Sequence, residues 1–256
     1  MRVWVRYFVS SLVCINAAFA EEINKELIHV EYDRYELWID CDEKAAIAFR
    51  YTVADDLANL TRYSNFYKDP NAPLNCHQLS NKPYEHHDSK LPKFERGQLA
   101  AANHFDSSKK ALRQANYMSN VLPRTAALNR GSWKRTEQLI ECYRDTFPVT
   151  TMGGVIWGTN DLNDAFTLSH GIKTPDSYWR LLSGGLNGND HYISWILPNN
   201  ETASSSMLQH YEISYDELIQ LIQPVVSLDV LAKLDKLKIK SGKPFKYTKG
   251  CRAYGS

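Results

Sequence analysis

The residues that most restrict how this chain can fold lie between positions 94 and 137. A short strand is expected over 94–103, carrying Glu95-Arg96-Gly97-Gln98 and turning at Gly97. A second is expected over 117–122, stopped by Pro123, followed by a helix from near Leu128 to about Arg144. That helix has Asn129 at its head and Glu137 about two turns further on. An arginine between an acid and a glycine, with an asparagine opening a helix ahead of a glutamate, suits contact with a phosphodiester.

Charge distribution points the same way. Residues 90–135 hold ten Lys/Arg against two Asp/Glu, whereas residues 136–230 hold three against twelve. Residues 233–252 are basic again, with eight Lys/Arg against Asp235. A chain near overall neutrality therefore presents a positive surface, which fits a polyanionic partner.

The first twenty residues read as a secretory signal peptide: Arg2 and Arg6, an apolar run, then Ala17-Ala18-Phe19-Ala20 as a cleavage site. Export to the outside or to a periplasm is expected, with residues 21–256 forming one domain and no membrane span. Four cysteines remain after cleavage, and no Cys-x-x-Cys pair is among them. An even count in an exported chain favours two disulfides. Of the three connectivities, Cys41–Cys76 closes a local loop and Cys142–Cys251 ties down the tail, so this pair is expected.

Elsewhere, 23–32 reads as a connecting arm, and 35–41 and 45–53 as a strand pair joined at Asp42-Glu43-Lys44. Residues 54–93 are loop-rich, with Pro-containing turns, and carry Arg62 and His86-His87. A basic helix or turn is expected at 107–114. A strand at 149–157 contains a flexible Gly153-Gly154, and 171–182 leads into a strand that pairs with 191–197. Ser214 and Glu217 form a capping box at the start of a helix over 214–222.

Set side by side, Glu95-Arg-Gly-Gln98, Asn116-Tyr-Met-Ser-Asn-Val-Leu-Pro123, Leu128-Asn-Arg-Gly-Ser-Trp133 and Glu137 resemble the signature of the DNA/RNA non-specific endonucleases of the ββα-metal superfamily. Thr61-Arg62, Thr174-Pro-Asp-Ser-Tyr178 and Ile196-Leu-Pro-Asn199 extend the likeness over most of 35–235. The resemblance implies an α+β fold, a central antiparallel sheet flanked by helices with a ββα-metal site. It implies that Asn129 holds Mg²⁺ or Mn²⁺ through its side-chain oxygen, while Arg62 and Arg96 grip phosphate oxygens. Glu137 would reach a water of the ion's shell rather than the ion itself. DNA and RNA would be the partners, held by the phosphate backbone. Whether the chain forms a homodimer stays open.

Read without the family, Asn129 also suits a helix N-cap, Arg96 also suits an ion pair with Glu95, and His104 suits a structural role. Three positions depart from the family pattern, the mildest being Glu95, which stands for an aspartate and adds one methylene. Glu141 stands where an arginine is common, with Arg144 three residues on. Gln98 stands where the family places the histidine that takes a proton from the attacking water. A carboxamide can orient water but has no basic lone pair near neutral pH, and the loss of a general base costs roughly 10²–10⁴-fold in rate. His86 and His87, on the preceding loop, are candidate replacements. The expected function is a metal-dependent nuclease, slowed at Gln98. The alternatives are a homologue that binds nucleic acid without cleaving it, and a different phosphoesterase or interaction module on the same scaffold.

Overall fold

The computed structural model describes residues 27–54, 58–185, 191–237 and 243–245. The signal-peptide reading of 1–20 and the tail cysteine Cys251 lie outside the described residues, although Cys142 is disulfide-bonded. The chain runs through β1 (Leu27–Glu31), β2 (Tyr35–Asp40), β3 (Ala45–Val53), β4 (Phe94–Gln98), α1 (Lys109–Ala115), β5 (Val121–Thr125), α2 (Ala126–Leu128) and α3 (Lys134–Arg144). It continues with β6 (Val149–Ile156), α4 (Thr167–His170), β7 (Ser177–Gly184), β8 (His191–Pro198), β9 (Glu212–Ile213), α5 (Tyr215–Ile222), α6 (Leu228–Asp235) and β10 (Lys243–Pro244).

The main sheet has the order β1-β2-β3-β6-β7-β8, antiparallel at every step, with β10 joining β8 in parallel and β9 pairing β8 off that path. Every residue of β2 is buried, as are most of β3, because both faces of these strands are covered. The burial of Glu36 on β2 is offset by ion pairs from Arg50 and Lys233 and a hydrogen bond with His29. Together with the flanking helices this is the expected α+β architecture.

Several local expectations are corrected. Residues 27–31 are not an arm: they pair with β2 along their whole length. Gly97 does not turn the chain, since β4 runs through it to Gln98. Pro123 does not stop a strand at 117–122. A 3₁₀ turn occupies Met118–Asn120, and β5 starts at Val121 and passes through Pro123. A two-stranded ribbon tolerates a proline that a central strand would reject. Nor is Gly153-Gly154 a flexible joint. Added Cβ atoms there would sit 2.5 Å from Phe49 Cε1 and 2.0 Å from the Ile47 carbonyl, so the glycines permit close sheet packing.

The β4–β5 ribbon is separate from the main sheet but docked on it by side chains. The Pro123 carbonyl accepts from the Tyr178 hydroxyl (3.0 Å) and from Asn199 Nδ2 (3.1 Å), while Asn199 Oδ1 accepts the Thr125 N–H (2.8 Å). These are the jobs of the Tyr178 and Asn199 motif residues. Thr125 then caps α2, accepting from the Leu128 N–H. The helix opens into a wide π turn over Asn129–Trp133 before resuming as α3. Gly131 sits in that turn because a Cβ would lie 2.6 Å from the Ala203 carbonyl, the same oxygen that accepts from the Ser132 N–H.

The expected Cys41–Cys76 disulfide is present, linking the end of β2 to the loop-rich segment. The Ser214–Glu217 capping box forms as read. Among the described residues no helix is long and apolar enough to cross a membrane.

Candidate nuclease site

Ribbon register places Glu95 opposite Arg124 and Gln98 opposite Val121. Arg124 is buried, its guanidinium 3.8 Å from the Trp133 ring centroid and 4.7 Å from that of Tyr178. It crosses Gly97, where an added Cβ would meet Arg124 Cβ and Cζ at 2.8 Å. The glycine of the Arg-Gly pair therefore makes room for an arginine on the neighbouring strand. Burial lowers the Arg124 pKa to about 10, so the group stays charged at neutral pH. It donates to Asn129 Oδ1 and to the Gln98 carbonyl, each at 3.1 Å.

A single cleft of about 780 Å³ is lined by all five of the side chains singled out in the sequence: Arg62, Arg96, Gln98, Asn129 and Glu137. Its walls carry six Lys/Arg side chains against four carboxylates, a positive balance that suits a polyanion. Asn129 is not a helix N-cap, since Thr125 holds that position. The Asn129 amide is oriented from both ends: Nδ2 donates to Glu95 Oε2 at 2.8 Å, and Oδ1 takes the Arg124 bond. Glu95 also accepts from Arg130. Burial alone would raise the Glu95 carboxyl, but the Arg130 and Asn129 hydrogen bonds outweigh it and hold the pKa below the ordinary value.

Arg96 makes no ion pair with Glu95, because neighbouring residues of a strand point to opposite faces. Its guanidinium lies 4.0 Å from the Phe66 ring centroid and donates to the Asn81 carbonyl at 3.1 Å. Burial lowers its pKa. Arg62 is exposed at the cleft rim. One turn before Glu137, Trp133 Nε1 donates to Glu137 Oε1 at 2.8 Å, which fixes the carboxylate. Gln98 Nε2 donates to the Ala115 carbonyl (3.0 Å) and to Asn116 Oδ1 (2.6 Å), and its Oε1 accepts the Ala102 N–H at 3.3 Å.

His86 is not at the cleft. Its Nε2 bonds the Pro92 carbonyl at 2.9 Å and its ring stands edge-on to Phe94, in a separate cavity beyond Arg96. His104 is buried, with Nδ1 2.9 Å from the Tyr51 hydroxyl and Nε2 3.1 Å from Glu141 Oε1. Glu141 also accepts from Asn103 at 3.0 Å and pairs with Arg144 at 2.6 Å, so position 141 braces the cleft wall with Arg144 beside it. The sequence reading missed Arg124, Arg130 and Lys134 as cleft residues. A charged residue inside the otherwise apolar Val121-Leu-Pro-Arg-Thr125 was the available signal for Arg124.

The cleft offers oxygen donors and open volume for the water a hard cation retains. Glu95 aims the Asn129 amide, and Asn129 Oδ1, which accepts from Arg124 on one lone pair, keeps the other for a hydrated ion. Among the described residues, the one His/Cys/Asp/Glu cluster of ligating geometry is His29, Glu31 and Glu36, which is outside the cleft. Arg50 and Lys233 bound to Glu36 oppose a cation there.

A two-stranded ribbon leading into a helix, beside an antiparallel sheet, forms a ββα arrangement with the cleft between ribbon and helix. The profile of the DNA/RNA non-specific endonucleases matches residues 16–236, and the chain belongs to that family. The family consists of nucleases that act on DNA and RNA and depend on a divalent metal. Mitochondrial endonuclease G of Bos taurus is 23% identical over 157 residues, or 57% of this chain and 52% of that protein, so the chain spans about half the length of this relative. A chain from a crystal structure of an EndoG/EndoGI complex, described as showing the mechanism of EndoG inhibition, aligns with a TM-score of 0.59. That alignment has 15% identity over 75% of this chain and 82% of the other, which is a likeness of fold.

Proposed function

We propose that this protein is a secreted or periplasmic endonuclease that hydrolyses phosphodiester bonds of DNA and RNA without sequence preference, using Mg²⁺ or Mn²⁺. The observation that supports it best is the placement of Arg62, Arg96, Asn129 and Glu137 around one positive cleft. Asn129 Oδ1 would hold the cation, which when bound supplies Lewis-acid charge to the phosphoryl group. Arg96 and Arg62 bind phosphate oxygens, and their charge is worth most as negative charge builds on phosphorus-bound oxygens. Glu137, fixed by Trp133, holds water at the cleft floor. Gln98 keeps one Oε1 lone pair for a water O–H but takes no proton. The reaction is therefore slower than with an imidazole at this position, by roughly 10²–10⁴-fold. Export accords with the Cys41–Cys76 disulfide.

The engagement of both Gln98 amide hydrogens by protein acceptors favours a second reading, a homologue that binds nucleic acid without cutting it. Incubating the purified mature chain with plasmid and with RNA, in Mg²⁺, Mn²⁺ or EDTA, separates the two. Cleavage that EDTA and Asn129→Ala both abolish is the expected result. Intact substrates that nonetheless remain bound would replace the nuclease reading with the second.

A further inference from the structure

We infer that the cavity beyond Arg96 is a nucleoside-binding subsite for the nucleotide next to the scissile phosphate, a role that rests on the nuclease reading and extends it to substrate recognition. The cavity measures about 540 Å³ and is lined by Tyr84, His86, Leu91, Lys93, Phe94 and Arg96, among others. Glu95 and Arg96 line both it and the cleft, so the two spaces adjoin at these residues. A phosphate gripped by Arg96 leaves its adjoining sugar and base within reach of this space.

The lining chemistry matches a planar, uncharged ring beside an anion. Tyr84 and Phe94, 2% and 4% exposed, back the cavity from within the core, and the half-buried His86 ring is the aromatic surface it presents. Tyr84 is pinned through its hydroxyl to Gln78 Oε1 at 2.9 Å. The His86 ring is held edge-on to Phe94 (5.7 Å) and Phe166 (6.1 Å) and tied to the Pro92 carbonyl. Leu91 supplies an aliphatic wall. At the rim stand exposed Lys93 and the Arg96 guanidinium, itself fixed on Phe66 and Asn81. A concave space of this size, part apolar at Leu91 and His86 and part polar, with Lys93 and Arg96 set against Glu85 and Glu95, has the mixed lining that small-molecule sites use. A nucleobase has a π face for the His86 ring whatever its identity, so the subsite raises affinity without strict base choice.

The test uses the full mature chain in EDTA, with binding as the readout, so it stands apart from whether the protein cleaves. A nucleoside 5′-monophosphate and inorganic phosphate are titrated separately into wild type, Leu91→Trp and His86→Ala. The nucleotide is expected to bind wild type roughly tenfold more tightly than phosphate, the size of one base–aromatic contact. Leu91→Trp, which fills the cavity, and His86→Ala, which removes the ring edge, are each expected to erase that excess while phosphate affinity holds. Equal affinity of wild type for the two ligands, or an excess that survives both substitutions, overturns the subsite. Wild type that shows the excess in EDTA yet leaves plasmid intact in Mg²⁺ would instead count against the nuclease reading alone.

Discussion

Gln98 Nε2 donates to Asn116 Oδ1 at 2.6 Å, and Asn116 Nδ2 donates onward to the Tyr63 and Asn65 carbonyls at 2.8 Å each. This relay ties β4 to the segment that bears Arg62. The side chain found where a proton acceptor is expected thus holds one wall of the cleft to the other. An imidazole in its place would gain a titrating nitrogen and lose one of the two donated bonds.

Gln98→His is therefore expected to raise the cleavage rate by up to roughly 10²–10⁴-fold, with a rise through pH about 6.5 as the imidazole deprotonates. It should lower stability by about 1 kcal/mol for the lost hydrogen bond. Gln98→Ala should lower stability without any gain in rate. Single-turnover plasmid cleavage from acid to mildly alkaline pH, with thermal melts alongside, checks both.

Gly97→Ala tests the crossing of Arg124 over β4. The added methyl meets Arg124 at 2.8 Å, so the guanidinium must shift, at a cost of about 1–3 kcal/mol. Because Arg124 bonds Asn129 Oδ1, cleavage is expected to fall further than the stability loss accounts for. Denaturant melts and rates at saturating Mg²⁺ separate the two effects; an unchanged rate in a destabilised variant would show that Arg124 does not steer Asn129.

The Cys41–Cys76 bridge closes a separation of 35 residues and anchors the loop-rich segment downstream of Arg62 and of Arg96's partner Phe66. Replacing both cysteines with serine is expected to cost about 2–4 kcal/mol. The measurement is the denaturant midpoint of the double variant against wild type under oxidising conditions.

Acid should destabilise the fold through its paired carboxylates. For Glu141, burial pushes the pKa up, but the His104 hydrogen bond and Arg144 outweigh it, and Glu36 and Glu95 are likewise held low. A depressed folded pKa contributes stability that is present above the unfolded value, about 4.3, and lost as pH falls through the folded one. Tm should hold across neutral pH and drop below about pH 4.3, with Glu141→Gln lower at neutrality and flatter in acid.

The sequence by itself determined the strand pairs β2–β3 and β7–β8, the order strand, strand, helix around the site, the Ser214 cap and the Cys41–Cys76 bridge. These features rest on period, turn chemistry and short-range spacing, which neighbouring residues carry between them. It also named five side chains that the fold brings to one cleft. Tertiary structure alone decided why Gly97 must be glycine, why Gly153-Gly154 packs rather than bends, and how Pro123 lies inside a strand. It decided, too, that Gln98 holds Asn116 and that Arg124 stands behind Asn129. Each of these depends on an atom that another segment brings within about 3 Å, and no local pattern encodes which segment that is.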